Sequence, residues 1–572
     1  MVALHKPIDA DVRERLSGYD DLTASLLVRR GVETAADAAA FLSPSYDEHI
    51  HDPMLIKNMP KAAARLAAAI TSGERIGVWS DYDCDGIPGG VVLHDFLKKA
   101  GANFTNYIPH RHEEGYGVNE MGIDKLAKDG VKLLITVDSG IVDNDAVAHA
   151  NALGMEVIIT DHHLPSEELP PAFAVIDPKQ EGETAPFRDY CGAGLAWKLV
   201  CATLAHGFKG REAIPEGWEK WLLDMAGLAT IADMVPLTGE NRVIAKYGLL
   251  VMRKSPRIGL QKLLKIARVN QRFVSEDDVG FMVAPRVNAA SRMGDPRDAF
   301  TLLTTSDESE ADRLAKDLEK ANRGRRSAAA AITRAVHERL HKRESIPSVI
   351  ALGDPDWRPG LLGLVANGIA EEYERPVFLW GREATMKVKG SCRSGGGAHV
   401  VELMQAAGDT FLEFGGHAKS GGFSLAEDAV FSFEENLCRA YETLSFADDG
   451  NRFALADQEL TPEEATPELL QKVNRLAPYG MGNEKPVFLF RNVSLVKVEW
   501  FGKANEHLKL KIARGLSFDN GPIDAIAFYA KRELGKVCET IADRSSATVL
   551  GSLERDQFSR GAPIRLRIVS IS

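Results

Sequence analysis

Three aspartates at alternate positions follow an apolar run near residue 80. The segment VWSDYDCDGIPGG contains Asp81, Asp83 and Asp85, and Gly86 follows them at a position suited to a sharp turn. Side chains two residues apart in an extended segment point to the same side, so the three carboxylates are expected to lie together. Burying such anions unpaired is costly, and a bound cation removes that cost. Hard oxygen ligands of this kind favour Mg²⁺ or Mn²⁺.

A calcium loop and a solvated turn are the alternative interpretations of this cluster. The DxDxDG pattern resembles an EF-hand loop, which requires a glutamate at its twelfth position. Counted from Asp81, that position is occupied by Val92, and the EF-hand interpretation is therefore excluded. A solvated acidic turn remains possible for the cluster taken by itself.

Three further groups of polar residues follow or interrupt other apolar runs. Asp138 follows LLITV, the tripeptide Asp161-His162-His163 follows MEVIIT, and Asp233 lies within ATIADMVPL. A lone aspartate or histidine is usually a helix cap or a satisfied core group, although neutral histidine is also a common metal ligand. The carboxyl ends of parallel strands converge on one crevice of an open sheet. Four such groups together therefore predict one shared metal site.

The elements that must position these residues are predicted to form a parallel sheet with covering helices. The apolar runs RIGVWS, VKLLITV and MEVIIT alternate with helical patterns around PKAAARLAAAI and GGVVLHDFLKKAG, which indicates an α/β fold. Residues 307–343 then predict one long helix, long enough to link two domains. Its second half is basic, with the residues Lys320, Arg323, Arg325, Arg326, Arg334, Arg339, Lys342 and Arg343. From charge alone, a solvated helix face and a track for a phosphate backbone are equally good interpretations.

The remaining sequence predicts two more domains. Residues 346–450 form a smaller, glycine-rich α/β pattern, and the segments HLKLKI and PIRLRIVSI alternate as strands of a small β domain do. A five-stranded barrel of OB type fits the latter, as do other small β folds. The predicted units are 1–45 (N-terminal lead-in), 46–305 (catalytic α/β domain), 306–345 (connecting helix), 346–450 (second α/β domain) and 451–572 (β-barrel).

Composition is typical of a soluble globular protein of several domains. The chain has 572 residues, of which 45% are hydrophobic and 26% charged. Six scattered cysteines without a CxxC pair argue against a zinc ribbon or a disulfide framework and for a reducing, cytoplasmic setting. We find no signal peptide and no apolar run long enough to span a membrane. The net charge of −12 argues against a nucleic-acid partner unless the positive charge is local.

The motifs taken in order resemble a known family. DYDCDG, VDSG, DHH and IADMVPL resemble the four signature motifs of the DHH phosphoesterases, and the first has the form found in the RecJ family. The match continues through IPHRHEEGYG, CGAGLAWKL, ENRVIAKYGL and APRVNAASRMGDP, and further through RPGLLGLVA, SCRS, FGGHAKSGG, LAPYGMGNEKPVF and HLKLKI. The sequence departs from the family pattern at several positions, among them Ser139, Arg358 and Cys392, none of which is an expected ligand.

The resemblance implies a parallel-sheet DHH domain, a DHH-associated domain, a C-terminal OB-like barrel and a binuclear manganese or magnesium centre. The residues on metal-ligand positions are Asp83, Asp85, Asp138, His162 and Asp233, with Asp138 expected to bridge both ions. His163 falls on a position that contacts a metal or the scissile phosphate. Asp161, and similarly Asp81, resemble residues that orient a ligand.

The resemblance also implies residues that hold substrate phosphates, including a 5′ phosphate. They are Arg111, Arg286, Asn288, Ser391, Arg393 and Ser394, together with Gly415, Gly416 and His417 of the GGH segment. Glycine clusters alone are more often turns than phosphate sites. SCRSGGGAH is not a Walker loop, so no hydrolysis of nucleoside triphosphates is expected.

The activity that the resemblance implies is 5′–3′ removal of mononucleotides from single-stranded DNA during recombination and repair. A single-strand-binding protein and a helicase are the further partners expected for a monomeric, cytoplasmic enzyme. Two rival hypotheses are a DHH hydrolase of oligoribonucleotides, cyclic dinucleotides or pyrophosphate, and a catalytically inactive DNA-binding protein. Chain length disfavours the first rival, and retention of every ligand position disfavours the second.

Overall fold

A computed structural model of the chain describes residues 2–111, 113–382, 388–446, 454–502, 505–513, 521–530, 534, 540–541, 544–556 and 563–572. The predicted boundary between residues 450 and 451 lies outside the described residues, as do His112 of the IPHRHEEGYG motif and Cys538.

The N-terminal elements pack on the opposite end of the chain. They are β1 (Val2–Leu4), α1 (Ala10–Arg15), α2 (Asp21–Val28) and α3 (Ala35–Leu42). Leu16, Leu27 and Phe41 are buried in one hydrophobic core with Phe488 and Leu508 of the C-terminal barrel. The segment expected to be a lead-in therefore shares its core with that barrel.

The first α/β domain contains a five-stranded parallel sheet of order β3-β2-β4-β5-β6. Its elements are α4 (Tyr46–His49), α5 (Met59–Ser72), β2 (Ile76–Ser80), α6 (Gly86–Lys99), β3 (Phe104–Tyr107), α7 (Glu120–Lys128), β4 (Leu133–Val137), α8 (Asn144–Ala152), β5 (Glu156–Thr160) and β6 (Ala174–Ile176). Successive residues of the central strands enter opposite cores, with Val78 and Ile135 on one face and Trp79 and Leu134 on the other. Burial on both faces explains why these strands read as continuous apolar runs.

Helices complete this domain and lead into the next. They are α9 (Gly192–His206), α10 (Leu223–Ala232), α11 (Gly239–Met252), α12 (Ile258–Ala267), α13 (Glu276–Asp278), α14 (Ala284–Met293), α15 (Arg297–Thr304) and α16 (Glu308–His341). The long helix expected over 307–343 is α16, with Leu314 and Leu318 in the first domain's core and Ile332 and Val336 in the next core. None of the helices that the structure describes has the length and apolar character needed to span a membrane.

The second α/β domain is smaller and has a mixed sheet of order β10-β11-β9-β8-β7. Its elements are β7 (Ile350–Gly353), α17 (Pro359–Tyr373), β8 (Val377–Arg382), β9 (Val388–Arg393), α18 (Val400–Ala406), β10 (Glu413–His417), β11 (Ser420–Leu425) and α19 (Phe433–Thr443). Among the strands that the structure describes in this domain, only β7 and β8 pair in parallel, and the GGH segment lies on the exposed edge strand β10.

The C-terminal domain is a closed five-stranded barrel. Its elements are β12 (Ala454–Ala456), β13 (Gln458–Glu459), α20 (Pro467–Val473), β14 (Phe488–Phe501), β15 (His507–Ile512), β16 (Ile523–Ala527), β17 (Ser546–Arg555) and β18 (Ile564–Ile571). The strand order β14-β15-β16-β18-β17 returns to β14, and β12 pairs in parallel with the N-terminal β1. The alternating burial predicted for HLKLKI is observed in β15, and the fold is of the expected OB type.

One buried arginine joins three parts of the molecule. Arg242 on α11 is 2% exposed, and its guanidinium donates hydrogen bonds to the carbonyl oxygens of Phe41, Leu476 and Ala477. The first α/β domain, the N-terminal helices and the segment before the barrel therefore meet at a single side chain.

Candidate metal centre

Four aspartates occupy equivalent positions at one edge of the parallel sheet. The last residues of β2, β4, β5 and β6 are in register with one another. The next residue of each strand is an aspartate, namely Asp81, Asp138, Asp161 and Asp177. Three of these were predicted from the sequence. Asp177 was missed because β6 contains only the residues AVI, although the same apolar run ending in aspartate could have identified it.

His162 lies among three carboxylates contributed by different elements. Its Nε2 atom is 3.1 Å from Asp138 Oδ1, 3.6 Å from Asp85 Oδ2 and 3.7 Å from Asp233 Oδ2. Three sets of side chains offer ligand atoms that lie within 4.8 Å of one another: Asp138, His162 and His163; Asp85, His162 and Asp233; and Asp81, Asp83 and Asp138. All the residues predicted as metal ligands are thus brought together.

The N-termini of two helices hold the carboxylates of the first motif. Asp85 accepts hydrogen bonds from the backbone N–H groups of Gly192 and Ala193, at 2.6 and 2.7 Å, where α9 begins. A Cβ atom on Gly192 would lie 2.5 Å from Cβ of Asp138, so only glycine allows this approach. Asp83 Oδ1 accepts from the N–H groups of Asp85 and Gly86 at the start of α6. The CGAG motif is therefore needed to place Asp85 beside Asp138.

Asp138 adopts an unusual backbone conformation that fixes its position. Its φ angle is +61°, in the left-handed region that aspartate and asparagine tolerate better than most residues. The Asp138 N–H donates to the carbonyl oxygen of Thr160 at 2.9 Å, and the carbonyl oxygen of Asp138 accepts from the Tyr116 hydroxyl at 3.2 Å. The side chain is thereby directed to the middle of the cluster.

Asp161 orients the neighbouring histidine through hydrogen bonds of its own. Its Oδ1 atom accepts from the N–H groups of His162 and His163 and lies 2.8 Å from Nδ1 of His163. Its Oδ2 atom accepts from the N–H group of Ile141 at 3.1 Å. Both oxygens are therefore engaged within the protein, which supports the positioning role expected for Asp161.

The electrostatics of the cluster favour a bound cation. Burial, followed by the neighbouring carboxylates, raises the pKa of Asp85 to about 6 and that of Asp233 to about 9, and holds the pKa of Asp138 well above its usual range. Burial also lowers the pKa of His162 to about 3, so its imidazole is neutral and able to act as a ligand. Oδ1 of Asp81 is buried without a hydrogen-bond partner in the described part of the chain. An oxygen-rich set with neutral imidazole fits Mn²⁺ or Mg²⁺.

The predicted phosphate-binding residues of the first domain fall in different environments. The Arg111 guanidinium lies 4.8 Å from the centre of the Tyr82 ring, beside the first motif. Asn288 Oδ1 accepts from the N–H group of Cys84 at 3.0 Å. The guanidinium of Arg286, in contrast, is paired with Glu319 at 2.8 Å. Arg286 is therefore partly neutralised inside the protein.

Arg292 is a cationic residue of the site that sequence reasoning missed. Burial and then the charge of Arg111 lower its pKa to about 10, and the carboxylate of Asp83 acts on it in the opposite direction. Its guanidinium also donates to the carbonyl oxygen of Gly360 at 2.6 Å, which joins α14 to the start of α17. Arg292 follows Asn288 by one helical turn, and that spacing could have identified it.

Three of the predicted phosphate-binding residues of the second domain, Ser391, Arg393 and His417, lie on one face of its sheet. Ser391 and Arg393 alternate along β9, and Arg393 and His417 are both paired in register with Ser420. A Cβ atom on Gly363 of α17 would lie 2.7 Å from the Arg393 guanidinium, so this glycine leaves room for it. Gly415 and Gly416 precede His417 on β10, whereas the Ser394 hydroxyl donates to the carbonyl oxygen of Ala398 within a turn.

The basic half of α16 divides into two sets. Arg339 pairs with Asp354, Arg343 with Glu434 at 2.8 Å and Arg323 with Glu319 at 2.7 Å. Arg325, which is partly buried, belongs with this first set because it donates hydrogen bonds to the Asn322 side chain. The exposed residues without an ion-pair partner among those described are Lys320, Arg326, Arg334 and Lys342. Part of the basic stretch is therefore structural, and only the second set is available to a phosphate backbone.

Family models match three parts of the chain. The DHH family, N-terminal domain, matches residues 75–230, the DHHA1 domain matches residues 346–444, and the RecJ OB domain matches residues 456–570. The first match lies within the first α/β domain, and the other two cover most of the second α/β domain and of the barrel.

Similar proteins match most of the length of the chain. The single-stranded-DNA-specific exonuclease RecJ of Bacillus subtilis is 34% identical over 548 residues, which are 96% of this chain and 67% of that protein. RecJ of Escherichia coli is 31% identical over 490 residues, covering 83% of this chain and 84% of that protein. The crystal structure of Thermus thermophilus RecJ in complex with Mn²⁺ superimposes with a TM-score of 0.80 at 27% identity, covering 100% of this chain and 79% of that one. A second structure of that protein is in complex with Mg²⁺.

Proposed function

The chain belongs to the family of RecJ single-stranded-DNA-specific exonucleases, and on that premise we propose that it is a metal-dependent 5′–3′ exonuclease that releases 5′-mononucleotides from single-stranded DNA in recombination and repair. The observation that carries the proposal is the convergence on His162 of three carboxylates, from the first motif, the second motif and the end of α10. Such a site suits hydrolysis of a phosphodiester, whose negative charge it must neutralise.

We propose that two divalent cations, manganese or magnesium, are held by Asp83, Asp85, Asp138, His162 and Asp233. Asp138 belongs to two of the three sets of converging ligand atoms, and this supports its role as the ligand shared by both ions. When bound, two such ions lower the pKa of an attacking water molecule and neutralise the phosphate oxygens. Asp81, whose buried oxygen lacks a partner in the described residues, supports the centre from the end of β2.

The protein's own groups then position the substrate. Asp161 holds Nδ1 of His163, which leaves Nε2 of this half-exposed ring available to the scissile phosphate. Arg111 and Asn288 contact residues of the first motif, and Arg292, one helical turn after Asn288, also contacts Gly360 of the second domain. Their location supports a role in holding the 5′-terminal nucleotide.

We propose that the DNA strand runs between the two α/β domains and along α16 towards the barrel. Ser391, Arg393 and His417 share one face of the second domain and could together bind the 5′ phosphate. A passage that admits one strand excludes a duplex. The units given above as 1–45, 46–305, 306–345, 346–450 and 451–572 are our proposed domain boundaries, with the first packed on the last.

We further propose that the enzyme acts as a monomer in the cytoplasm, together with a single-strand-binding protein and a helicase. The five described cysteines are unpaired, which fits a reducing compartment. Single-stranded DNA arises where a helicase has separated a duplex, so the substrate class itself supports these partners.

The proposed function is tested with end-labelled DNA. A 5′-phosphorylated oligonucleotide of several tens of nucleotides with a 3′ fluorophore is incubated with purified protein and Mn²⁺. We expect a ladder of shortening 3′-labelled products, and immediate release of a labelled mononucleotide when the label is at the 5′ end. An intact oligonucleotide, or shortening from the 3′ end, contradicts the proposal. Faster turnover of dinucleotides than of long DNA favours the oligonucleotide hydrolase.

A further inference from the structure

Lys179 lies two residues after Asp177, the last of the four strand-end aspartates, and has no part in the function proposed above. Asp177 Oδ1 accepts a hydrogen bond from the backbone N–H of Lys179 at 2.7 Å, and its carbonyl oxygen accepts from Gln180 at 3.1 Å. The Gln180 side chain is in turn fixed to the carbonyl oxygen of Val175 at 3.0 Å. This tight turn holds the backbone of Lys179 rigidly at the edge of the sheet that carries the metal centre.

The Lys179 side chain itself is exposed and uncommitted. Within the described part of the chain its ammonium group has no hydrogen-bond or ion-pair partner. Asp177 Oδ2 is likewise buried without a partner, so the lysine is not folded back onto the nearest carboxylate. The turn therefore presents a free cation to solvent.

The position of this cation in the sheet indicates which part of a substrate it can reach. The sheet order places β6 at one edge, next to β5, which is followed by the two histidines, whereas the Arg111 guanidinium lies beside Tyr82, which follows β2. Three strand spacings of about 4.8 Å separate β2 from β6 by roughly 14 Å. That distance accommodates several phosphates of one strand, with the metal centre between its ends.

The strand register places Lys179 beside the centre. Thr160 of β5 pairs with Ile176 of β6, so Asp177 lies next to Asp161 and the turn that carries Lys179 begins beside the DHH motif. An exposed lysine is most often only a solvated surface group. A free cation beside crowded carboxylates, in a chain of net charge −12, is better explained by an anionic ligand.

We propose that Lys179 binds the phosphate on the 3′ side of the scissile bond and so positions the strand that remains after each cleavage. The inference rests on the proposed function, in which Arg111 and the second domain hold the 5′-terminal nucleotide. With Arg111 beside Tyr82 at the end of β2, the continuing strand leaves the centre on the other side, over β6, where Lys179 supplies its positive charge.

The test combines the variant Lys179→Met with a substrate in which one methylphosphonate replaces the first linkage 3′ of the scissile phosphate. The neutral linkage removes the charge that the lysine is proposed to bind. We expect Lys179→Met to raise KM for single-stranded DNA about tenfold with little change in kcat, as loss of one charge-assisted hydrogen bond predicts. The methylphosphonate should weaken the wild type similarly and the variant no further, because both changes remove the same contact. Lys179→Arg should restore most of the loss.

Lys132→Met is the matched control, because Lys132 is an exposed lysine at the opposite end of the same sheet, directly before β4. Its KM should remain that of the wild type. The affinity of wild-type protein and of the Lys179→Met variant for both substrates, a double-mutant cycle, is also measured by fluorescence anisotropy in EDTA, where no hydrolysis occurs. If the losses of affinity caused by Lys179→Met and by the methylphosphonate multiply when both are present, the two changes act on different contacts and the inference is overturned. A Lys179→Met variant with wild-type KM and affinity overturns it as well. Wild-type protein that binds DNA without degrading it contradicts the proposed function alone, and the binding cycle then still decides the role of Lys179.

Discussion

Asp138 and His162 each belong to two of the three sets of converging ligand atoms. A substitution at Asp138 is expected to affect activity without affecting folding. Asparagine tolerates the same φ of +61°, so Asp138→Asn should fold normally. We expect turnover of single-stranded DNA to fall at least about a thousandfold, since a ligand shared by both cations is lost. Titration calorimetry should show weakened Mn²⁺ binding. The control is Asp145→Asn, an exposed aspartate on α8, and wild-type activity in the Asp138 variant would refute the site assignment.

The raised pKa values of the buried carboxyl groups predict that the thermal stability of the metal-free protein depends on pH. Burial and neighbouring carboxylates raise the pKa of Asp85 to about 6 and of Asp233 to about 9, from a usual value of 3.8. The folded state thus holds these protons more tightly than the unfolded state, and the stability they contribute is lost as pH rises from the unfolded pKa to the folded pKa of each group. In EDTA we expect Tm to fall from about pH 4 to about pH 9, and most steeply below about pH 6, where both groups contribute.

Two comparisons check the origin of that fall. Saturating Mn²⁺ should abolish most of it, because a cation replaces the lost protons, and Asp233→Asn should make it shallower in EDTA. A slope unchanged in Asp233→Asn means that another group is responsible.

Asp138 and His162 could be anticipated from the sequence because each follows an apolar run, and the direction of a parallel strand determines where its end lies. Asp233 was also predicted at a strand end, which was wrong, because it lies at the C-terminal end of the helix α10.

The contacts that surround these residues could not be anticipated from the sequence. The pairing of Arg286 with Glu319 depends on how α14 packs against α16, and no local pattern records that packing. Arg292 was likewise hidden, because its partner Gly360 is 68 residues away.

Among the helices, the start of α9 makes the sharpest prediction. A Cβ atom on Gly192 would lie 2.5 Å from Cβ of Asp138, whereas one on Gly194 meets nothing closer than the Cys191 sulfur at 3.6 Å. Gly192→Ala should therefore displace Asp138 and Asp85 and reduce activity and Mn²⁺ affinity by about a hundredfold, as misplacement by about 1 Å can. Gly194→Ala, in the same turn, should retain both. Equal activity of the two variants would contradict the geometry.

The strands that were predicted and those that were missed differ in burial and length. The three predicted strands, β2, β4 and β5, are buried on both faces and read as apolar runs. Strand β3 is only half-buried, and β6 has three residues, so neither shows a clear pattern of apolar residues in the sequence. The long helix α16 was recognisable because its apolar spacing persists over 34 residues.

For the molecule as a whole, Arg242 is the side chain on which the assembly depends. It is buried and bonded to carbonyl oxygens of α3 and of the segment before the barrel. Arg242→Met should lower the free energy of unfolding by at least about 3 kcal/mol, because several buried acceptors lose their donor. Urea denaturation measures this change, with Lys246→Met on the same helix as the control. A loss below about 1 kcal/mol would show that the contact is dispensable.

The long-range arrangement is the part of the fold that the sequence does not disclose. Residues 1–45 form ordinary amphipathic helices, and nothing in their period specifies that their partner is a barrel more than four hundred residues away. Their apolar faces fit whichever surface the rest of the chain offers. Domain identity can be predicted from motifs, whereas domain contacts depend on surfaces that only the folded chain creates.

The most direct test of the metal centre is anomalous diffraction at the manganese absorption edge from crystals grown with Mn²⁺. We predict two anomalous peaks, one near Asp85, His162 and Asp233 and one near Asp83, with Asp138 in contact with both. A single peak would contradict the two-cation proposal. Peaks elsewhere, or none at saturating Mn²⁺, would contradict the assignment of the site and the mechanism that depends on it.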